Sequence, residues 1–180
     1  MTKLSAVFVL CLLISGFCAA QQEFPRGELF GGYSFAHNYT SNLNFDWGWT
    51  AAPQFNLTRS IGFKADTSGH YATPVAGLNV NSYSFLFGPV LSNRVEGSPN
   101  GFTPFLHALA GADRISASAS GSSVSDTAFA MAFGGGVDID VNRHISVRGQ
   151  SDYLYTKHGT ATHQDNVRVS VGVVFKFGGY

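Results

Sequence analysis

The chain has 180 residues, enough for one domain with a core of its own, yet only 12% of them are charged, about half the share of an ordinary soluble domain. Eleven Lys and Arg balance eleven Asp and Glu, so there is no basic field to recruit nucleic acid and no acidic one either. Aromatic residues reach 14% and glycine stands at 21, which leaves apolar patterning, rather than charge, to carry the information.

The first twenty residues read as an export signal. Lys3 supplies a positive start, 4–14 is almost wholly apolar, and Cys18-Ala19-Ala20 places small residues before Gln21, as signal peptidase requires. The apolar run is too short for a helix that spans a bilayer, which needs about 20 residues. Bulky Phe17 in front of Cys18 argues against acylation of that cysteine. The expected division is therefore a signal peptide, 1–20, and a single domain, 21–180. Both cysteines, Cys11 and Cys18, fall in the signal, so the mature chain is expected to have no disulfide and no Cys-based zinc or redox chemistry.

From there the sequence predicts an all-β chain of eight strands, near 28–37, 46–57, 61–71, 80–91, 102–112, 127–140, 144–155 and 166–177, separated by turn-type residues. In the third, Ile61, Phe63, Ala65 and Tyr71 share one face while Lys64, Asp66, Ser68 and His70 share the other. The fifth, "FTPFLHALAGA", is ambiguous in its facing. In the seventh, Ile145, Val147, Tyr153 and Tyr155 oppose His144, Ser146, Arg148, Gln150 and Asp152. The eighth alternates most strictly: Val167, Val169, Val171, Val173, Phe175 and Phe177 are apolar, with Arg168, Ser170, Gly172, Val174 and Lys176 between them. Such a period-2 pattern marks one apolar and one mostly polar face.

Strands six and seven can be registered by hand. A tight turn at 141–143 pairs Ile139 with Ile145 and Val137 with Val147 on the apolar face. On the other face it sets Asp138 against Ser146, Gly136 against Arg148, Gly134 against Gln150 and Ala132 against Asp152, small opposite large, as in the interior of a narrow barrel. The links after strands one, three, five and seven ("NYTSNLNF", "ATPVAGLNVN", "DRISASASGSSVSD", "TKHGTATHQDN") are long and polar or small. Those after two and six, "TRS" and "VNR", are short, and "SNRVEGSPNG" after four is a longer exception. "SASASGSS" in particular is too small and polar to make a lipid-facing strand.

Long apolar-faced strands joined by turns that alternate in length describe an up-and-down transmembrane β-barrel, with long loops outside the cell and short turns in the periplasm. A sheet in hydrocarbon must close, because unpaired backbone groups are too costly there. Trp47, Trp49, Tyr71, Tyr83, Tyr153, Tyr155, Phe175 and Phe177 would then form interfacial girdles. Lys64, Asp66, Arg148, Asp152, Arg168 and Lys176 would face a lumen that eight strands leave just wide enough for side chains to fill. The main expectation there is a structural network of ion pairs; a narrow ion pore is the second.

"ELFGGYSF", "FLFGPV", "TPFLHALAG", "FGGGVDIDVNRHISVRGQSDYLYT" and the alternating last strand together resemble the small outer-membrane β-barrels of the OmpA/OmpX type, over residues 28–177. The resemblance implies an eight-stranded antiparallel barrel in outer-membrane lipid, and a last-strand aromatic recognised by the barrel-assembly machinery. Here Phe175 and Phe177 fit that signal, and Tyr180 is a further candidate. The preferred functional expectation is a non-enzymatic outer-membrane protein whose barrel displays four exterior loops for adhesion, surface protection or binding.

His144 and Ser146, two apart on one face, resemble the His and Ser pairing of lipid A deacylases, also small barrels. No glutamate follows to orient the base, and the pair is placed far from outer-leaflet lipid. No catalytic residue, cofactor or metal is therefore assigned. His37, His70, His158 and His163 fall in or near the exterior loops and read as solvent-exposed rather than as a metal site. A membrane-lipid-modifying enzyme and a soluble, lipocalin-like binder of an apolar ligand stay open as alternatives.

Overall fold

The computed structural model describes residues 24–39, 43–75, 78–94, 101–119, 122–158 and 162–179. The export segment and Tyr180 lie outside the described residues. Nine strands follow one another: β1 (Gly27–Asn38), β2 (Leu43–Phe45), β3 (Trp47–Asn56), β4 (Ile61–Val75), β5 (Leu78–Ser92), β6 (Phe102–Ala119), β7 (Ser122–Asp140), β8 (Ile145–His158) and β9 (Thr162–Phe177). The eight long ones form an antiparallel sheet that closes where β1 pairs with β9, from Gly27↔Phe177 to Asn38↔Asn166. Short β2, in the link after β1, was not expected; it lies against the upper end of β1, pairing Ala36 with Phe45.

Alternation sets which way each side chain points. On β9, Val169, Val171, Val173, Phe175 and Phe177 are exposed on the outer wall, while Arg168, Ser170, Val174 and Lys176 are buried inside. On β5, Phe85, Phe87 and Leu91 face out against Ser84, Leu86 and Val90 within. An apolar outside around a polar inside is the reverse of a soluble ligand-binding barrel, which removes the lipocalin-like reading. The ambiguous strand, β6, turns Thr103, Phe105, His107, Leu109 and Asp113 inward and Phe102, Leu106, Ala112 and Arg114 outward.

Two expectations need correction. Three of the links expected as long loops are largely strand: β4 and β5 run on to Val75↔Leu78, β6 and β7 to Ala119↔Ser122, and β8 and β9 to His158↔Thr162. Of "SASASGSS", residues 116–119 and 122–123 therefore lie in paired strands. Beyond the lipid a strand needs no apolar face, and each antiparallel neighbour goes on satisfying the other's N–H and C=O groups.

The second correction is the register of β7 and β8, which is two residues off the expected one. Ile139 pairs with Val147, Asp138 with Arg148, Gly136 with Gln150 and Gly134 with Asp152. The facing is unchanged, because a shift of two preserves parity. Two local causes are visible. Asn142 Oδ1 accepts the N–H groups of His144 and Ile145 at 2.8 and 2.9 Å, widening the turn to four residues. The observed pairing also sets Arg148 directly across from Asp138. At Gly134 even a Cβ would run into the Asp152 carboxylate, so glycine here makes room for a charged side chain opposite.

Candidate functional site

The polar interior is built from alternate residues of all eight long strands, and it fills the barrel from its lower end, where the turns at 57–60 and 141–144 lie, towards the upper end. Lowest is Asp140, which takes both the Lys176 ammonium and the Ser146 hydroxyl, the latter at 2.6 Å. Beside it Glu28 gathers Arg94 at 2.5 Å, Asn56 at 2.9 Å and Arg148 at 2.9 Å. Arg94 also donates to the Arg59 carbonyl at 2.7 Å, which ties the long lower link back across the mouth.

Arg148 occupies the next layer. Its Nε and Nη2 donate to the two oxygens of Asp138 at 2.6 and 2.7 Å, a two-pronged pair of the strong, charge-assisted kind. Its guanidinium lies 5.4 Å from the ring centre of Phe30 and 4.5 Å from that of Phe105, close enough for cation–π attraction. Lys64 donates to Gln150 at 3.0 Å and stands 3.5 Å from Asp66. Above it Arg168, completely buried, spans two carboxylates, reaching Asp66 at 2.8 Å and Asp152 at 2.9 Å, and adds Ser68 at 3.0 Å. His107 Nε2 meets the other Asp152 oxygen at 2.7 Å.

All six residues predicted to face the lumen are thus inside and partnered, and the structure brings four of them, Lys64, Asp66, Asp152 and Arg168, into one linked group. Sequence reading misses Glu28 and His107, and it places Asp138 on the inner face but against Ser146 rather than Arg148. A two-residue change of register would have found Asp138 opposite Arg148. Nothing local could have found His107, because β6 carries apolar residues on both faces.

Hydroxyl chains continue upward: Ser170 to Ser34 at 3.0 Å, Ser34 with His70 at 2.9 Å, and Ser68 with Ser84 at 2.7 Å. Among the described residues a chamber of about 40 Å³ lies above Arg168, bordered by Asp113, Thr156 and Asn166, with Phe45 of β2 among its walls. That space suits a water or two, not a substrate.

The other sequence candidates separate. His144 is exposed in the turn while the Ser146 hydroxyl is committed to Asp140. His70, expected to be solvent-exposed in or near a loop, is instead buried on Ser34, and His37 meets Asn44; the side chains of His158 and His163 lie outside the described residues. Among the described residues no group of three or more His, Cys, Asp or Glu is placed to hold a metal ion. Phe175 and Phe177 stand exposed on the outer wall at the lower end of β9.

Comparison with known proteins agrees with this geometry. Residues 8–177 match the family model of the outer membrane protein beta-barrel domain. Neisserial surface protein A is similar in fold, with a TM-score of 0.69 at 16% identity over 84% of this chain and 96% of that one. Ail, the attachment invasion locus protein of Yersinia pestis, solved with the heparin analogue sucrose octasulfate, gives 0.61 at 17% identity over 84% and 97%. The N-terminal barrel of Pseudomonas aeruginosa OprF gives 0.52 at 14% over 84% and 99%. No curated protein matches the chain by sequence.

Proposed function

Since the chain belongs to the outer membrane protein β-barrel family and sits in the bacterial outer membrane, we propose that it is a non-enzymatic barrel whose work is done by the hairpins it presents outside the cell, in adhesion, surface protection or binding. The observation that carries this is the β6–β7 hairpin. Its two strands stay in register from Phe102↔Ile139 to Ala119↔Ser122, whereas β8 follows β7 only as far as Phe129↔Lys157. Among the described residues, β7 from Ser122 to Ala128 therefore has one strand neighbour and an edge without another. Such an edge offers main-chain donors and acceptors to an incoming strand.

The residues from Asp113 to Asp126 carry one Arg, Arg114, between those two acids. This hairpin consequently has no cationic field for a sulfated polysaccharide; the likeness to Ail carries the fold and not its ligand. The enzyme reading has less support. It needs His144 and Ser146 to act on each other, and Ser146 already donates to Asp140.

The test shortens the hairpin without changing its register. Ala117 pairs with Val124, so residues 118–123 can be replaced by Asn-Gly, a two-residue hairpin turn. Heat-dependent gel mobility should still report a folded barrel, and whole-cell adhesion to host or abiotic surfaces should fall. Full adhesion by a folded, shortened protein would refute the role given to this hairpin. For biogenesis, the reading assigns recognition by the barrel-assembly machinery to Phe175 and Phe177. Phe177→Ala should lower the assembled fraction in cells more than deletion of Tyr180 does, and the opposite order would move the signal to Tyr180.

A further inference from the structure

One feature of the outer wall is unused by the lumen network and lies on different strands from the β6–β7 hairpin. Where β2 leaves β1 and the chain enters β3, an open notch of about 730 Å³ is lined by Asn44, Asp46, Trp47, Tyr71, Thr73 and Pro74. Trp47 is 73% exposed, the most of any aromatic residue among the described ones. Tyr33 fixes it from one side, ring centres 5.8 Å apart and edge-on, and the Tyr33 hydroxyl donates to the Asp46 carbonyl. On the neighbouring strand Tyr71 pairs directly with Trp47 and accepts a hydrogen bond from Trp49 Nε1 at 3.2 Å. An aromatic platform is thereby held beside a carboxylate whose main chain is pinned.

The polar groups around the platform are complementary. Asn44 has its carbonyl oxygen engaged by His37, and its NH₂ group can donate. Asp46 offers only acceptors. Among the described residues no Lys, Arg or His lines the notch, which makes it a poor seat for phosphate or sulfate. A ring that is apolar on its face and carries hydroxyls around its rim, each able to donate and accept, fits both halves. The usual role of such rings is to sit at the membrane interface, and Tyr71, Trp49 and Tyr83 serve it by bonding to one another along the wall. Trp47 has no polar partner in that chain among the described residues, and Asn44 and Asp46 beside it belong to β2 and the link that follows it rather than to the belt.

We propose that this notch binds a neutral pyranose unit, stacked on Trp47, with its hydroxyls held by Asp46 and Asn44. The same chemistry has two sources, the core sugars of a lipopolysaccharide and a free surface glycan. The test takes protein purified from outer membranes into lipopolysaccharide-free micelles. Trp47 and Trp49 are the chain's two tryptophans, so Trp49→Phe leaves Trp47 as the one reporter. Methyl glucopyranoside, methyl galactopyranoside and a delipidated core oligosaccharide should each be titrated, with inorganic phosphate as the contrast. The expected result is a saturable change in Trp47 emission with saccharide and none with phosphate. In calorimetry Asp46→Ala should weaken binding about tenfold, the loss of a charged hydrogen-bond partner. Trp47→Leu should abolish it and Trp47→Phe retain most of it, all with unchanged heat-dependent mobility. Tighter binding of the core oligosaccharide assigns the membrane source, and tighter binding of the simple glycosides assigns the free one. No saturable response to any saccharide, equal affinity in folded Asp46→Ala, or a stronger response to phosphate would overturn the proposal. The shortened β6–β7 hairpin should bind saccharide normally, which keeps this result separate from the adhesion test.

Discussion

Arg148 lies between two phenyl rings with Asp138 and Glu28 as its partners, all of them inside the barrel wall. Burying such charges is expensive, and removing Arg148 leaves Asp138 without its guanidinium, while Glu28 keeps Arg94 and Asn56, at a cost of about 3–5 kcal/mol. Arg148→Met should therefore lower the stability read from urea unfolding in vesicles by about that amount. Arg148→Met with Asp138→Leu should recover a large part of the loss, since an apolar pair no longer strands a carboxylate. A double variant as weak as the single one would show that the pair is not what holds this layer. At this scale the sequence was readable in parity but not in partnership. Alternation marks Lys64, Asp66, Arg148, Asp152, Arg168 and Lys176 as inward, because period 2 is a local property of a strand. That Arg168 reaches Asp66, 102 positions away, depends on barrel closure, which no local pattern encodes. His107 stayed hidden for a related reason, since Phe102, Leu106, Phe105 and Leu109 make both faces of β6 apolar.

Asn142 illustrates how an element is set. Its side chain accepts two turn N–H groups, an Asx arrangement, and with Val141 N–H donating to the Ile145 carbonyl at 2.9 Å it fixes a four-residue link between β7 and β8. A three-residue turn is the simpler inference from "VNR", and it sets every cross-strand pair two residues out. Asn142→Ala should cost about 1 kcal/mol and leave the register intact, because Arg148–Asp138 also selects it. Cross-strand distances between labels on β7 and β8 would check this; a slipped register in the single variant would give the turn the whole credit. The upper hairpins teach the opposite lesson. Small and hydroxyl-bearing residues between Asp113 and Asp126 read as a loop in the sequence because the apolar face ends there. The apolar face reports lipid contact, whereas the ladder reports only a paired neighbour, and β6 and β7 keep that pairing after the lipid-facing pattern stops.

The whole molecule is an inverted soluble protein, apolar outside and hydrogen-bonded within, and its closure between β1 and β9 leaves no open edge across the lipid. Val171 is exposed on the outer wall, so Val171→Arg should destabilise the inserted barrel by about 2–4 kcal/mol if it lies near the midplane. The loss would show as a smaller folded fraction by heat-dependent mobility. Ser170, 2% exposed and bonded to Ser34, has no room for a guanidinium, so the informative inward change is a small one. We propose that export removes residues 1–20. Both native cysteines would go with them, and an intact mass starting at Gln21 is expected from membrane-extracted protein; diacylglycerol on Cys18 would contradict it. The facing of the wall is tested most directly by four near-isosteric changes in β9, Val171→Cys, Val173→Cys, Ser170→Cys and Val174→Cys, each labelled in isolated outer membranes with a lipid-soluble maleimide. The protein without an introduced cysteine provides the baseline. Cysteines at 171 and 173 should label, slowly because hydrocarbon disfavours the attacking thiolate, and those at 170 and 174, buried inside, should stay at baseline until the barrel is unfolded. Equal labelling at all four positions, or protection at 171 and 173, would contradict the lipid-out, network-in barrel.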